Sequence, residues 1–114
     1  MVERRVYVPR RGDVVWLELS PQAGHEQAGR RPALVLSPEV YNRKTGLFVV
    51  CPITSREKGY PFEVRLPADC EVSGVALSDQ IKSLDWRARK ARFKCRVSSE
   101  VMDETLGKAL ALLT

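Results

Sequence analysis

The sequence predicts a mainly β domain, a small and strongly curved antiparallel sheet with one C-terminal helix. Three observations predict it. Short apolar runs rich in Val, Leu, Ile and Phe recur along most of the chain, bounded by Pro, Gly or polar clusters. Two later runs alternate apolar and charged residues, the period of a half-buried strand. Only the last stretch changes to helical spacing. Many short strands plus one terminal helix suggest a small sheet bent on itself.

Val14-Val15-Trp16-Leu17 reads as a buried strand. A polar loop over 20–32 follows, opening at Ser20-Pro21. Ala33 to Ser37 is a second strand, ended by Pro38. Asn42 to Gly46 reads as a polar turn. Leu47 to Cys51 is a third strand, stopped by Pro52, and Thr54 to Pro61 is a Gly- and Pro-marked loop. Phe62, Val64 and Leu66 alternate with Glu63 and Arg65 on a fourth strand. After a loop at 68–73, Val75–Leu77 and Ile81–Trp86 are further short strands. Ala91, Phe93, Cys95 and Val97 alternate with Arg92, Lys94 and Arg96, so one face of that strand carries a basic stripe. Met102, Leu106, Ala109, Leu110 and Leu113 fall on one helical face. Ser98 or Ser99 caps that helix, and Glu100 sits in its first turn, where the helix dipole favours an acid. Trp16, Trp86 and Phe62 are assigned to the core. No repeat, linker or low-complexity tract divides the chain, so residues 1–114 read as a single domain.

A chain of 114 residues buries roughly 65% of its unfolded surface, enough for one modest core. Its 44% hydrophobic content excludes a disordered chain. No apolar run approaches the ~20 residues that span a membrane, and Met1 to Arg5 lacks the apolar core of a signal peptide. Cys51, Cys70 and Cys95 lie far apart, an odd count without C-x-x-C spacing. That pattern predicts free thiols in a reducing cytosol, hence a cytoplasmic protein. No His/Cys/Asp/Glu cluster has metal spacing, and no metal or other cofactor is expected. The formal net charge is +5, which favours a polyanionic or acidic partner. Its distribution says more: Arg87, Arg89, Lys90, Arg92, Lys94 and Arg96 crowd into one stretch, and Arg4, Arg5, Arg10 and Arg11 into another.

The segment from Gly24 to Pro32 packs Glu26, His25 and two arginines into a glycine-flanked loop. Acid, base and cation together serve phosphodiester cleavage. RNA needs no metal for this, because its own 2′-OH can attack the adjacent phosphate. The protein must help remove that proton, protonate the leaving 5′-oxygen and stabilise charge on phosphorus. Arg31 suits the last task, since its planar fork matches two phosphoryl oxygens and stays charged; a solvated loop arginine is the equal alternative. Thr54 reads either as an ST turn closing a strand or as a hydroxyl donor to a non-bridging phosphate oxygen. Glu26 reads either as a general base toward the 2′-OH or as the ion-pair partner that shapes the loop around Arg31 or Arg30. His25 is the only histidine, a side chain suited to acid–base work at neutral pH, and a pair of catalytic histidines is excluded. Lys58 and Tyr60 suit phosphate contact and base stacking. Gln80 and Lys82 suit base or phosphate contact, and a polar strand face explains them equally well.

The run G-H-E-Q-A-G-R-R-P-A-L-V-L-S-P resembles the MazF/PemK family of toxin endoribonucleases, or mRNA interferases. The match continues in order through G-D-V-V-W at 12–16, Y-N-x-K-T-G at 41–46 and C-P-I-T-S at 51–55. It extends through K-G-Y-P-F-E-V at 58–64 and G-V-A-L-S-D-Q-I-K-S-L-D-W-R-A-R at 74–89. The resemblance implies an SH3-like barrel of the kind shared with gyrase-poisoning CcdB toxins. It implies sequence-specific, metal-independent cleavage of single-stranded RNA to 2′,3′-cyclic phosphate and 5′-OH ends. Arg31 and Thr54 fall on the family's catalytic positions, with Glu26 beside them. His25, Gln27, Arg30, Lys58, Tyr60, Gln80 and Lys82 become candidate RNA contacts. A two-fold homodimer and neutralisation by an acidic, MazE-like antitoxin that folds on binding are also implied; the apolar run from Leu47 to Cys51, more than one small core needs, points to the dimer as well. The alternatives are a CcdB-like gyrase inhibitor and a non-catalytic nucleic-acid-binding barrel. Retention of E-Q-A-G-x-R-P and the strand-end threonine favours the nuclease.

Overall fold

The computed structural model describes residues 6–18, 29–67 and 70–114. Seven strands and two helices follow in the order β1 (Asp13–Glu18), β2 (Arg30–Val35), α1 (Glu39–Thr45), β3 (Leu47–Thr54), β4 (Glu63–Arg65), β5 (Val75–Leu77), β6 (Lys82–Asp85), β7 (Arg92–Arg96) and α2 (Ser99–Ala111). All pairings are antiparallel, and the strands run β4-β5-β3-β2-β1-β7, with β6 also paired to β3. The mainly β, curved architecture with a C-terminal helix is as expected. No helix of the described residues is long and apolar enough to cross a membrane.

The apolar runs of β1, β2 and β3 are continuous because both faces of these strands are covered. Val14, Leu34, Cys51 and Ile53 join one cluster with Val64, Leu66, Ala76 and Met102. Val15, Leu17, Ala33, Val35, Phe48 and Val50 join a second with Trp86. The two clusters take up Phe48 to Cys51 within the chain, while Leu47 is exposed. Trp86 is a core residue, its indole N–H donating to the Asn42 carbonyl at 2.8 Å. Trp16 is only half-buried, and Phe62, also half-buried, stacks on exposed Tyr60 at 5.2 Å between ring centres.

Several boundaries differ from the sequence expectations. The polar turn at 42–46 is the end of helix α1. Its signals are local: Pro38 as N-cap, Glu39 in the first turn, Arg43 and Lys44 in the last, and Gly46 left-handed at φ 75° as the C-cap. Asn42 is buried because its side-chain amide donates to the Pro9 carbonyl and accepts from the Ser37 hydroxyl. Strand β2 begins at Arg30, so Arg31 and Pro32 lie on a strand rather than in the loop. Strand β3 runs through Pro52 to Thr54. Proline is tolerated there because β3 changes partner beyond it, leaving β2 after Ala33↔Pro52 and pairing with β5 from Ile53↔Ala76.

The alternation in β7 is interrupted. Val14 faces Cys95 while Val15 faces Phe93, so Lys94 is the extra residue of a bulge, which re-aims side chains. Phe93 is exposed and packs edge-on against Tyr7. The basic stripe is partly neutralised: Lys94 pairs with Glu71 at 3.0 Å, and Arg96 with Asp13 at 2.6 Å. Asp13 is buried and also accepts from the Tyr7 hydroxyl, whose pKa burial and this carboxylate push up.

The three free thiols expected from sequence are not found. Cys70 and Cys95 are joined in a disulfide, with Cα atoms 5.7 Å apart, and Cys51 alone is free and buried. A cross-link closing a loop of this length is worth about 3–4 kcal/mol on chain-entropy grounds. Sequence spacing could not reveal it, because β7 and the 70–74 segment meet only through the sheet's curvature.

Helix α2 is capped by Ser98, whose hydroxyl accepts from the Val101 N–H. Met102, Thr105 and Ala109 are buried. Leu110 and Leu113, expected on the inner face, are 57% and 73% exposed. They flank an apolar groove of about 540 Å³ with Tyr41, Val49, Ile81 and Leu106.

Candidate active site

Arg31 and Thr54 come from different parts of the chain and meet in one groove. Arg31 lies on β2 opposite Leu17, and Thr54 ends β3 opposite Val75. Both line a polar groove of about 710 Å³ together with Trp16, Ile53, Ser55, Arg56, Glu71 and Ser73. A smaller cavity of about 170 Å³ continues from Arg31 past Pro52 to Lys82, Leu84 and Arg89. Another of about 170 Å³ continues from Thr54 past Arg56 to Lys58, Tyr60, Phe62 and Gln80. Arg31 and Thr54 thus share the large groove, and each also borders one of the two smaller cavities.

Local chemistry fixes each member. Strand pairing holds the Arg31 backbone while its side chain is exposed, with no ion pair to a described residue. The Thr54 hydroxyl oxygen accepts from the Arg56 N–H at 3.1 Å, the ST turn that the sequence allowed. That turn does not consume the hydroxyl proton. Having accepted at oxygen, Thr54 can still donate into the groove. The two readings of Thr54 are thus compatible in one geometry.

Close approach on the opposite wall demands glycine. Gly74 has φ 126°, and a Cβ there would collide with the Thr54 carbonyl oxygen. The segment leading to Gly74 carries Glu71 in the left-handed region at φ 61°. Its pairing with Lys94 offsets the negative charge that this residue brings to the groove. Arg31, Arg56, Lys58 and Lys82 form no ion pair with a described residue, so these depressions present positive charge to a polyanion.

The sequence candidates separate into three groups. Lys58, Tyr60, Gln80 and Lys82 are brought to the flanking depressions. Arg30, exposed and opposite Glu18, is not among the residues lining the central groove or its two extensions. Glu26, His25 and Gln27 lie outside the described residues. Sequence reading missed Trp16, Arg56, Glu71 and Ser73 as groove residues. Of these only Arg56 carried a signal, as a second cation beside Thr54.

It also missed Glu63. This carboxylate is buried and accepts from the N–H groups of Lys58, at 3.1 and 3.2 Å, and Gly59, at 2.9 Å. It folds the 58–60 loop back so that Lys58 and Tyr60 face the depression beside Thr54. Hydrogen bonds to a charged acceptor contribute about 1.5–3 kcal/mol each at most. Glu63→Gln keeps the shape but puts an amide where a carboxylate received two donors. It is expected to lower the melting temperature and to raise KM for RNA several-fold with little change in kcat. Unchanged KM and stability would show that the loop holds its shape without this clamp.

Residues 10–113 match the model of a family described as "PemK-like, MazF-like toxin of type II toxin-antitoxin system". The chain is 50% identical to the endoribonuclease toxin MazF of Escherichia coli K12, covering 99% of both chains. It is 32% identical to the endoribonuclease EndoA of Bacillus subtilis 168, over 93% of this chain and 97% of the relative. Among solved structures, MazF of Deinococcus radiodurans superposes with a TM-score of 0.85 at 58% identity, covering 95% of this chain and 98% of that one. A MazE–MazF structure from the same organism superposes with a TM-score of 0.86 at 52% identity, over 95% and 97% of the two chains.

Proposed function

Because the chain belongs to the family of PemK-like, MazF-like toxins of type II toxin–antitoxin systems, we propose that it is an endoribonuclease that cuts single-stranded RNA and is held inactive by an antitoxin. The observation that carries the reading for this chain is the meeting of Arg31 and Thr54 between two cation-bearing depressions. The scissile phosphate sits in the central groove. The Thr54 hydroxyl donates to one non-bridging oxygen, and the Arg31 fork takes the charge that grows as the 2′-oxygen adds to phosphorus. Glu26, which precedes β2 in sequence, removes the 2′-OH proton. The 5′-oxygen leaves as it takes up a proton from solvent, and the products are a 2′,3′-cyclic phosphate and a 5′-OH. Flanking nucleotides lie in the smaller cavities, with Tyr60 offering a stacking face, Lys58 and Lys82 holding phosphates, and Gln80 reading a base edge. His25 and Gln27, which precede β2 in sequence, contact the substrate.

The antitoxin is an acidic, MazE-like chain that competes with RNA by covering these positive depressions. The toxin itself works as a homodimer in the cytoplasm. Exposed Leu110, Leu113, Tyr41 and Ile81 form one apolar surface on α2, α1 and the approach to β6, and a second copy covers it. The decisive experiment incubates the purified protein with a long single-stranded RNA in excess EDTA. Discrete cleavage at a recurring short sequence is expected. Intact RNA, or cleavage restored only by adding a divalent cation, would overturn the reading.

A further inference from the structure

We propose that the Cys70–Cys95 pair is a thiol–disulfide site that sets how firmly one wall of the Arg31–Thr54 groove is held, and thereby the affinity for RNA. The inference rests on the ribonuclease reading above. The bond ties the 70–74 segment to β7, an edge strand. Glu71 and Lys94, each next in sequence to a bonded cysteine, make a second tie at the same place. Glu71 and Ser73 then line the groove with Arg31 and Thr54. Gly74 closes the segment with its backbone against the Thr54 carbonyl. A short span of chain therefore runs from the disulfide to the backbone of Thr54.

The chemistry needs only a small thiol reagent. A low-molecular-weight dithiol attacks one sulfur as its thiolate, forms a mixed disulfide and then closes on itself. Two electrons and two protons pass to the protein, giving Cys70 and Cys95 thiols, and the reagent leaves as a cyclic disulfide. A small-molecule disulfide runs the exchange backward and is itself reduced to thiols. A reducing compartment keeps the pair open, and an oxidising challenge closes it. Cys51 does not compete, because burial first and the Asp79 charge second push its pKa up to about 12.

With the bond open, the segment keeps Cys70 and Val72 in the core cluster, the Leu66 N–H to Gly74 carbonyl hydrogen bond and the Glu71–Lys94 pair, so what loosens is the groove-facing stretch from Glu71 to Ser73. Exposed pairs of this kind hold weakly. The left-handed backbone at Glu71 is then no longer enforced. RNA must re-order the wall when it binds, while Arg31 and Thr54 keep their places on β2 and β3. Binding weakens and the chemical step does not.

The test compares the wild-type protein oxidised with a small-molecule disulfide and reduced with dithiothreitol, the thiol state checked by alkylation and mass spectrometry. Reduction is expected to raise KM about threefold to tenfold, the cost of ordering one or two side chains on binding, with kcat unchanged. Amide exchange should quicken at 70–74 and at Ser55 and Arg56. The C70S/C95S variant should behave as reduced protein in either buffer; should it fail to fold, the two wild-type states decide. Equal KM in both states, or Cys70 and Cys95 both still alkylated after oxidation, would overturn the proposal. Absence of cleavage in both states strikes the ribonuclease reading instead, and the exchange measurement still decides whether bond and groove are linked.

Discussion

Arg31→Ala is expected to lower RNA cleavage by about 10²–10³-fold in kcat, the usual cost of removing one preorganised donor from a developing oxyanion. The protein should stay folded. Arg31 is exposed on β2 and makes no ion pair with a described residue, so its removal should change stability by no more than about 0.5 kcal/mol. Arg31→Lys should recover only part of the rate, because an ammonium supplies the charge without the two-pronged geometry. Arg30→Ala is the matched control: the neighbouring arginine is as exposed but outside the groove, and its loss should cost little. Steady-state cleavage of a fluorogenic RNA, with melting curves for each variant, measures all of this. An Arg31→Ala protein with near wild-type kcat would remove the residue from the mechanism.

The second large effect lies in the substrate. RNA carrying a single 2′-O-methyl group at the cut site should not be cleaved there at all, while unmodified sites in the same strand are cut normally. Among the groove residues, Arg31 and Thr54 are donors suited to stabilising a phosphorane. Neither is an adequate nucleophile: a guanidinium is permanently protonated and a lone threonine hydroxyl is a weak attacker without an adjacent base. In the proposed mechanism the attacking oxygen is the 2′-oxygen of the RNA, and methylation caps it. Mass spectrometry of the unmodified products should give 2′,3′-cyclic phosphate on one fragment and 5′-OH on the other. Cutting at the methylated position, or 5′-phosphate ends, would show that water attacks instead.

Much of this was legible in the sequence where one side chain reports one environment. The alternation around Val64, the apolar runs of β1 to β3 and the Ser98 cap each name their element directly. The Arg31–Thr54 meeting followed from resemblance, not from spacing. What the chain alone hid depends on partners distant in sequence. The Cys70–Cys95 bond and the burial of Asp13 by Tyr7 and Arg96 exist only once β7 lies beside β1. Strand β3 passes through Pro52 because its hydrogen-bonding neighbour changes there, which a local rule about proline cannot anticipate. Glu63 looked like the solvent half of an alternating strand, yet it is buried under the loop it clamps. Helix α1 is different: its cap signals were present at Pro38, Glu39 and Gly46 and were outweighed by the polar run between them.

Strand β3 pairs with β2, β5 and β6, and Thr54 is its last residue. The element that presents the threonine is thus among the most heavily bonded in the molecule, and segments of that kind open only when the whole fold does. Warming or mild denaturant would leave the threonine in place until the last of the protein unravels. A cell that carries such a blade cannot dismantle it piecemeal. It must sheathe it or destroy it entire, and a sheath that is itself easily destroyed makes the stable partner the one that outlives the other.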